Sequence, residues 1–435
     1  MRKKGEAPRI GAFTPPPGGT LQIGDRVSHT RDFRTAERYR EYAQCGFEEI
    51  LFAGEDKYTG EPFEGSDLKR MLDLAADAGL SAIVFDERLM RLTSVPKEKI
   101  VGELFSSRAE LEQYVADCLR VYAGHPAFYG ISAADEPTEG RMQIFAEFCA
   151  AVHAFRQDIY VHTCFLPMAN GDDGQASAGE GKDFQAEYSR YADRMCSTGV
   201  GYFCYDAYPF GMWEGKNDMR KGYVRNMQIA ARRSAACGVP FYMTIQSFSS
   251  GAHDELRRVD ESDLNWQTNM ALGFGCRKLY YFTYWRFTTR PDATFFTSAI
   301  MDEDGSRLLY DEAKRNNELF LQILKKLKGY SYSRSQYCGA EYKVAAWLES
   351  EELELFGAVS AEAPLLINEL VCGERRAYMI LNLRDPFEKK ENVCRLQFAE
   401  AGKEIRCFRR GRMQKRSTGN WRLALKPGEA VWLFL

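Results

Sequence analysis

The sequence predicts an α/β protein in which a (β/α)8 TIM barrel, residues 1–330, is followed by a small C-terminal antiparallel β-sandwich, residues 331–435. Apolar, strand-like runs alternate eight times with amphipathic helical stretches between residue 8 and about residue 328. Because parallel strands need crossover connections and the crossovers here are helices, this alternation favours a closed parallel barrel. Beyond Gly329 the pattern changes to short β-rich segments separated by turn-forming residues. A chain of 435 residues is also long enough for a barrel of about 250 residues and a second module.

The predicted barrel elements follow in order along the chain. The strand-like segments are Pro8–Thr14, Phe47–Ala53, Ser81–Phe85, Phe128–Pro137, Ile159–Phe165, Tyr202–Tyr208, Pro240–Phe248 and Lys278–Trp285. Apolar residues at helical spacing predict helices over Thr35–Cys45, Ser66–Ala78, Arg108–Tyr122 and Leu309–Leu327. The segment Met168–Gly181, rich in glycine and small polar residues, is predicted to be a mobile loop over the mouth of the barrel.

The C-terminal part reads as a small sandwich of short strands. The predicted strands include Lys343–Trp347, Leu365–Val371, Arg376–Leu383, Val393–Phe398 and Ala430–Phe434. No motif marks this part, so we expect it to pack against the barrel, with carbohydrate binding as the alternative use.

Composition restricts the classes of function. The hydrophobic share is 45%, the charged share 27% and the net charge −3, which are typical of a soluble globular protein and give no electrostatic reason to expect a nucleic-acid partner. The basic N-terminus is not followed by an apolar core, and no uncharged span is long enough to cross a bilayer. We therefore expect no membrane association and a cytoplasmic location, or secretion if a signal peptide has been removed.

Cofactor and metal motifs are missing from the sequence. The twelve cysteines are scattered without a CxxC pair, and the five histidines show neither HxH nor HExxH spacing. No glycine-rich phosphate loop follows the first strand. The sequence therefore predicts buried, reduced thiols, no metal and no cofactor.

The fourth predicted strand ends in two adjacent carboxylates, Asp135 and Glu136. Strict alternation along a strand places Glu136 on one face with Ala134, Ser132 and Gly130, and places Tyr129, Ile131 and Ala133 on the other. A carboxylate just past the end of such a strand lies at the carboxyl-terminal rim, where barrel enzymes keep their chemistry. Glu136 is therefore the first candidate for a catalytic residue. The structural alternative is that the two carboxylates cap the next helix, with Pro137 in its first turn.

Alternation on the other strands suggests further residues at the mouth of the barrel. Asp206 and Tyr208 share a face at the end of strand six, Gln246 ends the more polar face of strand seven, and His162 on strand five is in phase with Tyr160 and Cys164. On strand eight Tyr281, Thr283 and Trp285 align, so Trp285 is a candidate for stacking on a sugar ring. His162 and Trp285 are each also compatible with ordinary core packing.

Several segments together resemble barrel glycoside hydrolases. They are Tyr129–Pro137, Tyr205–Pro209, Pro240–Phe248, Trp266–Gly275 and Tyr280–Trp285. They look most like β-galactosidase-like members of the large retaining clan and their bacterial relatives, whose strand-four Asn-Glu-Pro carries the acid/base. Here Asp135-Glu136-Pro137 matches with Asp in place of Asn, so the resemblance implies that Glu136 is the proton donor.

The chain departs from that clan on strand seven, where Gln246 stands without a carboxylate near the position of the nucleophilic glutamate. A retaining mechanism needs two carboxyl groups ~5 Å apart and an inverting one roughly 6.5–9.5 Å. Three interpretations follow. Asp206 is the second carboxylate; or the Asp135-Glu136 pair, which also resembles that of N-acetylhexosaminidases, lets the substrate's acetamido group attack while Asp135 orients it; or the barrel is a catalytically degenerate carbohydrate-binding protein.

The sequence thus predicts a hydrolase of an oligosaccharide or polysaccharide. The predicted catalytic residues are Glu136, Asp135 and Asp206, and the predicted substrate-binding residues are Tyr208, Gln246, Tyr284, Trp285 and His162.

Overall fold

The structure, a computed structural model, describes residues 7–23, 26–29, 31–52, 57–94, 98–168, 183–213, 215–251, 256–286 and 296–435. Most of the predicted loop Met168–Gly181 lies outside the described residues.

Among the described residues, eight parallel strands form one sheet, as predicted. They are β1 (Ile10–Phe13), β2 (Glu49–Leu51), β3 (Ser81–Val84), β4 (Phe128–Asp135), β5 (Tyr160–Cys164), β6 (Phe203–Asp206), β7 (Phe241–Gln246) and β8 (Lys278–Phe282). Their order in the sheet is β5-β4-β3-β2-β1-β8-β7-β6, which is the sequential order of a barrel. The remaining gap between β5 and β6 is bridged where the Phe165 backbone N–H donates to the Cys204 carbonyl at 2.7 Å, so the ring of strands closes.

Helices alternate with these strands and cover the outside of the barrel. Their bounds are α1 (Ala36–Gln44), α2 (Asp67–Asp77), α3 (Glu87–Ser94), α4 (Arg108–Arg120), α5 (Met142–Phe155), α6 (Phe184–Cys196), α7 (Tyr223–Ala236), α8 (Glu261–Gly273) and α9 (Tyr310–Lys326). Side-chain caps fix several of their starts; Asp260 and Asp263, for example, form a reciprocal capping box at the start of α8. The loops that connect the end of each strand to the next helix form the rim of the barrel.

A buried ion pair forms the floor of the barrel. The Lys278 ammonium donates to Glu49 at 2.8 Å, and both side chains are almost fully buried. The Lys278 nitrogen also lies 4.4 Å from the ring centroid of Tyr160 and 4.8 Å from that of Tyr280, and these two hydroxyls bond at 3.0 Å. Such a buried ion pair is tolerated because each charge interacts with the other and with the neighbouring aromatic rings, which together replace the water that the charges lose on burial.

After α9 the chain forms two antiparallel sheets. Their strands are β9 (Ser331–Cys338), β10 (Phe356–Ala361), β11 (Leu365–Cys372), β12 (Arg375–Asn382), β13 (Asn392–Phe398), β14 (Glu404–Arg409), β15 (Arg412–Ser417), β16 (Asn420–Leu425) and β17 (Ala430–Phe434). One sheet has the order β9-β11-β12-β17-β14-β15 and the other β10-β13-β16. The predicted C-terminal sandwich is therefore present.

One predicted strand in this part is wrong. Lys343–Trp347 contains a 3₁₀ turn, Lys343–Ala345, followed by Trp347 with φ 61°, a value that no strand accommodates. The sequence also failed to indicate β15, because its exposed, charged residues lack the apolar alternation that marks a half-buried strand.

The six-stranded sheet belongs to two cores. One face, which carries Leu366, Met379 and Trp432, joins the hydrophobic cluster of the barrel, and the other, which carries Ile367 and Ile380, joins a second cluster with the three-stranded sheet. The period of two along a strand explains this division. The C-terminal sheets are thus packed onto the barrel through α8, where the Trp432 indole N–H donates to Asn269 at 3.1 Å.

Within the described part of the chain, no helix combines the length and the apolar character that crossing a membrane requires.

Gly130 of β4 lies close to the backbone of β5. A Cβ atom at this position would lie 2.0 Å from the carbonyl oxygen of Tyr160 on β5, well inside van der Waals contact. We expect Gly130→Ala to lower the free energy of unfolding by about 3 kcal/mol, the upper range for overpacking a core, because β4 and β5 must separate. Gly124→Ala is the control, since nothing lies within 4 Å of its Cβ position. Equal denaturant midpoints for the two variants would contradict this account.

Candidate active site

Strand β4 carries an extra residue opposite β5, just before the two carboxylates. The paired residues are Ser132 with His162, Ala134 with Thr163, and Asp135 with Cys164. Ala133 is therefore bulged out of the ladder, and the strict alternation predicted for Glu136 with Ala134 and Ser132 is wrong. Glu136 follows with φ 45°, and its backbone N–H donates to the Cys164 carbonyl at 2.9 Å. Because of this bend, the adjacent side chains of Asp135 and Glu136 are both exposed to solvent at the rim.

The predicted outward position of Tyr129 is also wrong. A second irregularity in pairing lies between β3 and β4 beside this residue. Its ring stacks on Tyr160 at 5.3 Å and lies 5.4 Å from the Lys278 ammonium, so it packs on the floor of the barrel.

The alternative that the two carboxylates cap the next helix is wrong as well. The 3₁₀ turn after them has Thr138 as its N-cap, and α5 has Arg141; neither start receives a side-chain cap. Asp135 and Glu136 are therefore available to the mouth of the barrel.

Asp206, at the end of β6, meets these carboxylates from the neighbouring side. Its carboxyl group lies close enough to the carboxyl group of Glu136 and to the hydroxyl of Tyr208 for each of them to shift its pKa. Its Oδ1 is buried without a hydrogen-bond partner. The structure thus brings together Glu136, Asp135, Asp206 and Tyr208, four of the residues singled out in the sequence.

Crowding of the three carboxyl groups changes their acidity. Desolvation, and then the charge of Asp206, raises the pKa of Asp135 to about 6. Desolvation, followed by the charges of Asp206 and Asp135 and the hydrogen bond to Asp206, raises the pKa of Glu136 to about 8. The pKa of Asp206 is also raised by desolvation, but hydrogen bonds from Tyr208 and Glu136 and the charge of Arg220 oppose the rise. Near neutral pH the proton of the pair therefore lies on Glu136.

Arg220 is a site residue that the sequence did not reveal. It follows a hairpin, Phe210–Trp213 and Lys216–Met219, whose base is closed by the Arg220 N–H donating to the Pro209 carbonyl at 2.9 Å. Its positive charge lowers the pKa of both Glu136 and Asp206. An arginine in a polar loop after β6 carries no sequence signal that links it to Glu136, which follows β4.

An aromatic wall continues from the carboxylates across the mouth. Tyr208 lies 6.0 Å from Phe282, which in turn lies 5.4 Å from Phe13 and 5.2 Å from Phe248, all between ring centroids. Tyr208 and Phe282 are partly exposed, whereas Phe13 and Phe248 are buried. Phe282 is thus a candidate surface for the apolar face of a ligand.

The inward face of β8 differs from the predicted one. The inward residues are Lys278, Tyr280 and Phe282, whereas the Tyr281 hydroxyl accepts from Asn316 of α9 at 2.6 Å. The predicted alignment of Tyr281 with Thr283 and Trp285 towards the mouth is therefore wrong. The signal that could have corrected it is Lys278, since a buried lysine needs the barrel interior to find its partner Glu49.

Tyr284 and Trp285 consequently pack away from the carboxylates. The Tyr284 ring lies 4.5 Å from that of Tyr42 on α1, and the Trp285 ring lies 4.8 Å from that of Phe33. Both side chains are almost fully buried, at 0% and 1% exposure. In this structure neither offers a surface to a sugar, because the segment around α1 covers them.

Gln246 is bound to the loops rather than open to the mouth. Its amide receives the Phe210 N–H at 3.2 Å and donates to the carbonyls of Phe248 and Arg257 at 3.3 and 3.1 Å, with no exposed surface. It therefore ties together the segments that follow β6 and β7.

His162 lies in the layer beneath the site. It is 2% exposed, its ring lies 4.9 Å from that of Tyr280 and 5.4 Å from that of Phe13, and its Nδ1 is buried without a partner. Burial, and then the charge of Lys278, lowers the pKa of His162 to about 3. The ring is therefore neutral and contributes no charge to the site.

Comparison with known proteins shows the fold. No family model and no curated protein sequence matches the chain. Solved structures do match: a glycoside hydrolase family 5 protein from Bacteroides vulgatus has a TM-score of 0.52 at 9% identity, with 98% of this chain and 88% of that chain covered. A second glycoside hydrolase has a TM-score of 0.52 at 8% identity, with 96% and 97% covered. At such identities the likeness establishes the shared fold alone.

A third matching structure is covered over a smaller part of both chains. The β-galactosidase from the psychrophilic Marinomonas ef1 has a TM-score of 0.47 at 10% identity, over 74% of this chain. The chain spans 60% of the length of that enzyme.

Removing the charge of Asp206 tests the coupling between the two carboxyl groups. We expect Asp206→Asn to move the pKa of Glu136 down towards the ordinary glutamate value of about 4.3, because the repelling charge disappears. The measurement is a ¹³C NMR titration of protein labelled at glutamate carboxyl carbons, with Glu136→Gln assigning the resonance. Asp158→Asn is the control, because Asp158 is exposed and precedes β5 at the opposite end of the barrel. An unchanged Glu136 titration in Asp206→Asn would contradict the coupling.

Proposed function

We propose that the chain hydrolyses an O-glycosidic bond of an oligosaccharide or polysaccharide, with Glu136 as the general acid/base. The observation that supports this most is the carboxyl group of Glu136, which is open to solvent at the carboxyl ends of a closed parallel barrel and whose pKa is raised to about 8 by desolvation and by the neighbouring Asp206 and Asp135. That end is where barrel enzymes carry their chemistry. The shared fold with glycoside hydrolases is consistent with the proposal.

Glycoside hydrolysis needs a proton for the leaving oxygen and a partner on the other side of the sugar. Glu136 fits the first role because a raised pKa keeps its proton at the pH where the reaction runs. In a retaining mechanism the carboxylate of Glu136, having given its proton to the leaving group, then takes a proton from the incoming water, whereas in an inverting one the second carboxylate takes that proton.

Two partners remain for the second role. Asp206 is supported by its contact with Glu136 and by Tyr208 and Arg220, which favour its charged form. This role requires the two carboxyl groups to lie ~5 Å apart for a retaining mechanism or roughly 6.5–9.5 Å apart for an inverting one.

The substrate's own acetamido group is the other partner, oriented by Asp135. The bulge at Ala133 and the bend at Glu136 support it, because they bring two adjacent side chains to one opening. In this role Asp206 keeps the proton on Glu136 and has no covalent part in the reaction.

A catalytically degenerate carbohydrate-binding barrel is the alternative function. The fully bonded amide of Gln246 at the end of β7 favours it, because no carboxylate occupies that position. Phe282 and Tyr208 would serve a binding protein as well as an enzyme.

Hydrolysis of a panel of nitrophenyl glycosides, including N-acetylated sugars, tests the proposal. We expect the wild-type protein to cleave at least one of them, with kcat/KM falling above about pH 8 as Glu136 loses its proton. Glu136→Gln should lower kcat by about 10²–10⁴-fold, the usual contribution of a general acid, and should remove this alkaline limb. Glu139→Gln is the matched control, because Glu139 is exposed and pairs with Arg194. Saturable sugar binding without turnover would favour the degenerate barrel instead.

The two partners differ in which aspartate matters. If Asp206 is the nucleophile or base, Asp206→Asn should abolish turnover, whereas Asp135→Asn should reduce it only several-fold. If the acetamido group attacks, Asp135→Asn should be the severe change and activity should be confined to N-acetylated substrates. The measurement is kcat for both variants on the best substrate. Rescue of Asp206→Ala by azide would assign the nucleophile to Asp206, and equal, mild effects of both variants would contradict both assignments.

A further inference from the structure

Trp347, from the segment between β9 and β10, reaches the rim of the barrel. Its ring lies 5.0 Å from that of Phe184, the first residue of α6, and 4.8 Å from the ammonium of Lys221, just before α7. Helices of a (β/α)8 barrel begin at the carboxyl ends of the strands. The indole therefore stands on the same side of the barrel as the three carboxyl groups, although it belongs to the C-terminal part of the chain.

A short stretch of chain connects Trp347 to the candidate active site. Arg220, whose charge acts on Glu136 and Asp206, is followed directly by Lys221 and Gly222, which both contact Trp347. Consecutive Cα atoms are about 3.8 Å apart, so the backbone that contacts the indole begins one residue after Arg220.

The other side of this contact leads to the same opening. The Tyr191 hydroxyl of α6 donates to the Pro137 carbonyl, next to Glu136, at 2.7 Å. Phe184 lies seven residues earlier on α6, which is about 10 Å along a helix. About two turns of one helix therefore join the residue that contacts Trp347 to the residue that contacts the backbone beside Glu136.

The surroundings hold Trp347 in place at a cost. Its backbone has φ 61°, a left-handed conformation that is strained for a bulky residue. Gly222 makes room for the ring, since a Cβ there would lie 2.4 Å from it. The flanking segment is fixed by the Gly222 N–H donating to the Lys343 carbonyl at 3.0 Å and by Arg225 pairing with Glu349 at 2.5 Å.

An indole kept in this conformation is nevertheless only partly buried. Core packing would favour full burial, whereas a ligand platform needs an accessible aromatic surface. The Lys221 ammonium, which lies over one face of the ring, supplies hydrogen-bond donors of the kind that sugar hydroxyl or carboxylate groups accept and leaves the other face for a ligand.

We propose that Trp347, with Lys221 and Phe184, forms an additional sugar-binding subsite that takes a ring of an oligosaccharide beyond the one next to Glu136. The proposal rests on the proposed function in so far as it names an oligosaccharide. It makes the C-terminal part of the chain a contributor to substrate length preference, with no part in the bond cleavage itself.

Comparison of substrates of different length tests the subsite. The full-length protein, Trp347→Ala, Trp347→Phe and the control Phe387→Ala, which removes an exposed aromatic ring elsewhere in the C-terminal part, are assayed on nitrophenyl monosaccharides and on short oligosaccharides of increasing length. We expect Trp347→Ala to lower kcat/KM for the oligosaccharides by about tenfold, as truncation of a binding aromatic does, and to leave the nitrophenyl monosaccharides unchanged. Trp347→Phe should recover part of the loss. Equal loss on both substrate types, or no loss on either, would overturn the subsite while leaving the hydrolase assignment intact.

A binding measurement separates failure of the subsite from failure of the proposed function. If no glycoside is cleaved, the quenching of tryptophan fluorescence by the same oligosaccharides is followed in wild-type protein and in Trp347→Ala. Weakening of the binding by about tenfold in the variant supports the subsite without any turnover. Unchanged binding in the variant, or wild-type protein that binds none of the oligosaccharides, overturns it.

Discussion

The candidate site depends on one extra residue in the pairing of β4 with β5. Without the bulge at Ala133, alternation along β4 would turn Asp135 towards the helical layer, and without the left-handed conformation of Glu136, φ 45°, the two adjacent carboxyl groups would point to opposite faces. The same two strands approach so closely at Gly130 that no side chain fits there. The tight contact at Gly130 fixes the register of β4 with β5. The bulge at Ala133, nearer the carboxyl end of β4, turns the strand end so that both carboxyl groups lie near Asp206.

Three carboxyl groups in one opening destabilise the charged forms of each other. Desolvation and mutual repulsion raise the pKa of Asp135 and Glu136, and a folded protein that raises the pKa of a carboxyl group loses stability as the pH rises from the unfolded value to the folded one. The positive charge of Arg220 and the hydroxyl of Tyr208 offset part of this cost at Asp206. A conventional core would not assemble such a group, and its persistence is typical of a site that needs a protonated acid beside a carboxylate.

Much of the fold could be predicted from the sequence because the signals were periodic. Eight apolar runs separated by helical stretches specify a parallel barrel, and all eight strands occur where the alternation placed them. Glu136, Asp206 and Tyr208 could be brought together because each follows the end of a strand, and strand ends converge at one rim. These predictions needed local pattern only.

The remaining errors arose where long-range packing decides the outcome. The inward face of β8 is set by Lys278, whose partner Glu49 is 229 residues away, so Trp285 was assigned to the wrong face. The bulge in β4 depends on the register with β5, and alternation within one strand contains no such information. Arg220 and Trp347 gave no signal at all, because each reaches the site through the packing of a hairpin or of the C-terminal sheets.

Both faces of the six-stranded sheet carry buried apolar residues, because one surface packs on the barrel and the other on the smaller sheet. Each core therefore supplies part of the wall of the next, and melting one of them would expose apolar side chains of its neighbour to water. The polypeptide should consequently unfold in one cooperative transition. A fragment ending after α9 would expose the apolar surface of α8 to water and would be prone to aggregate.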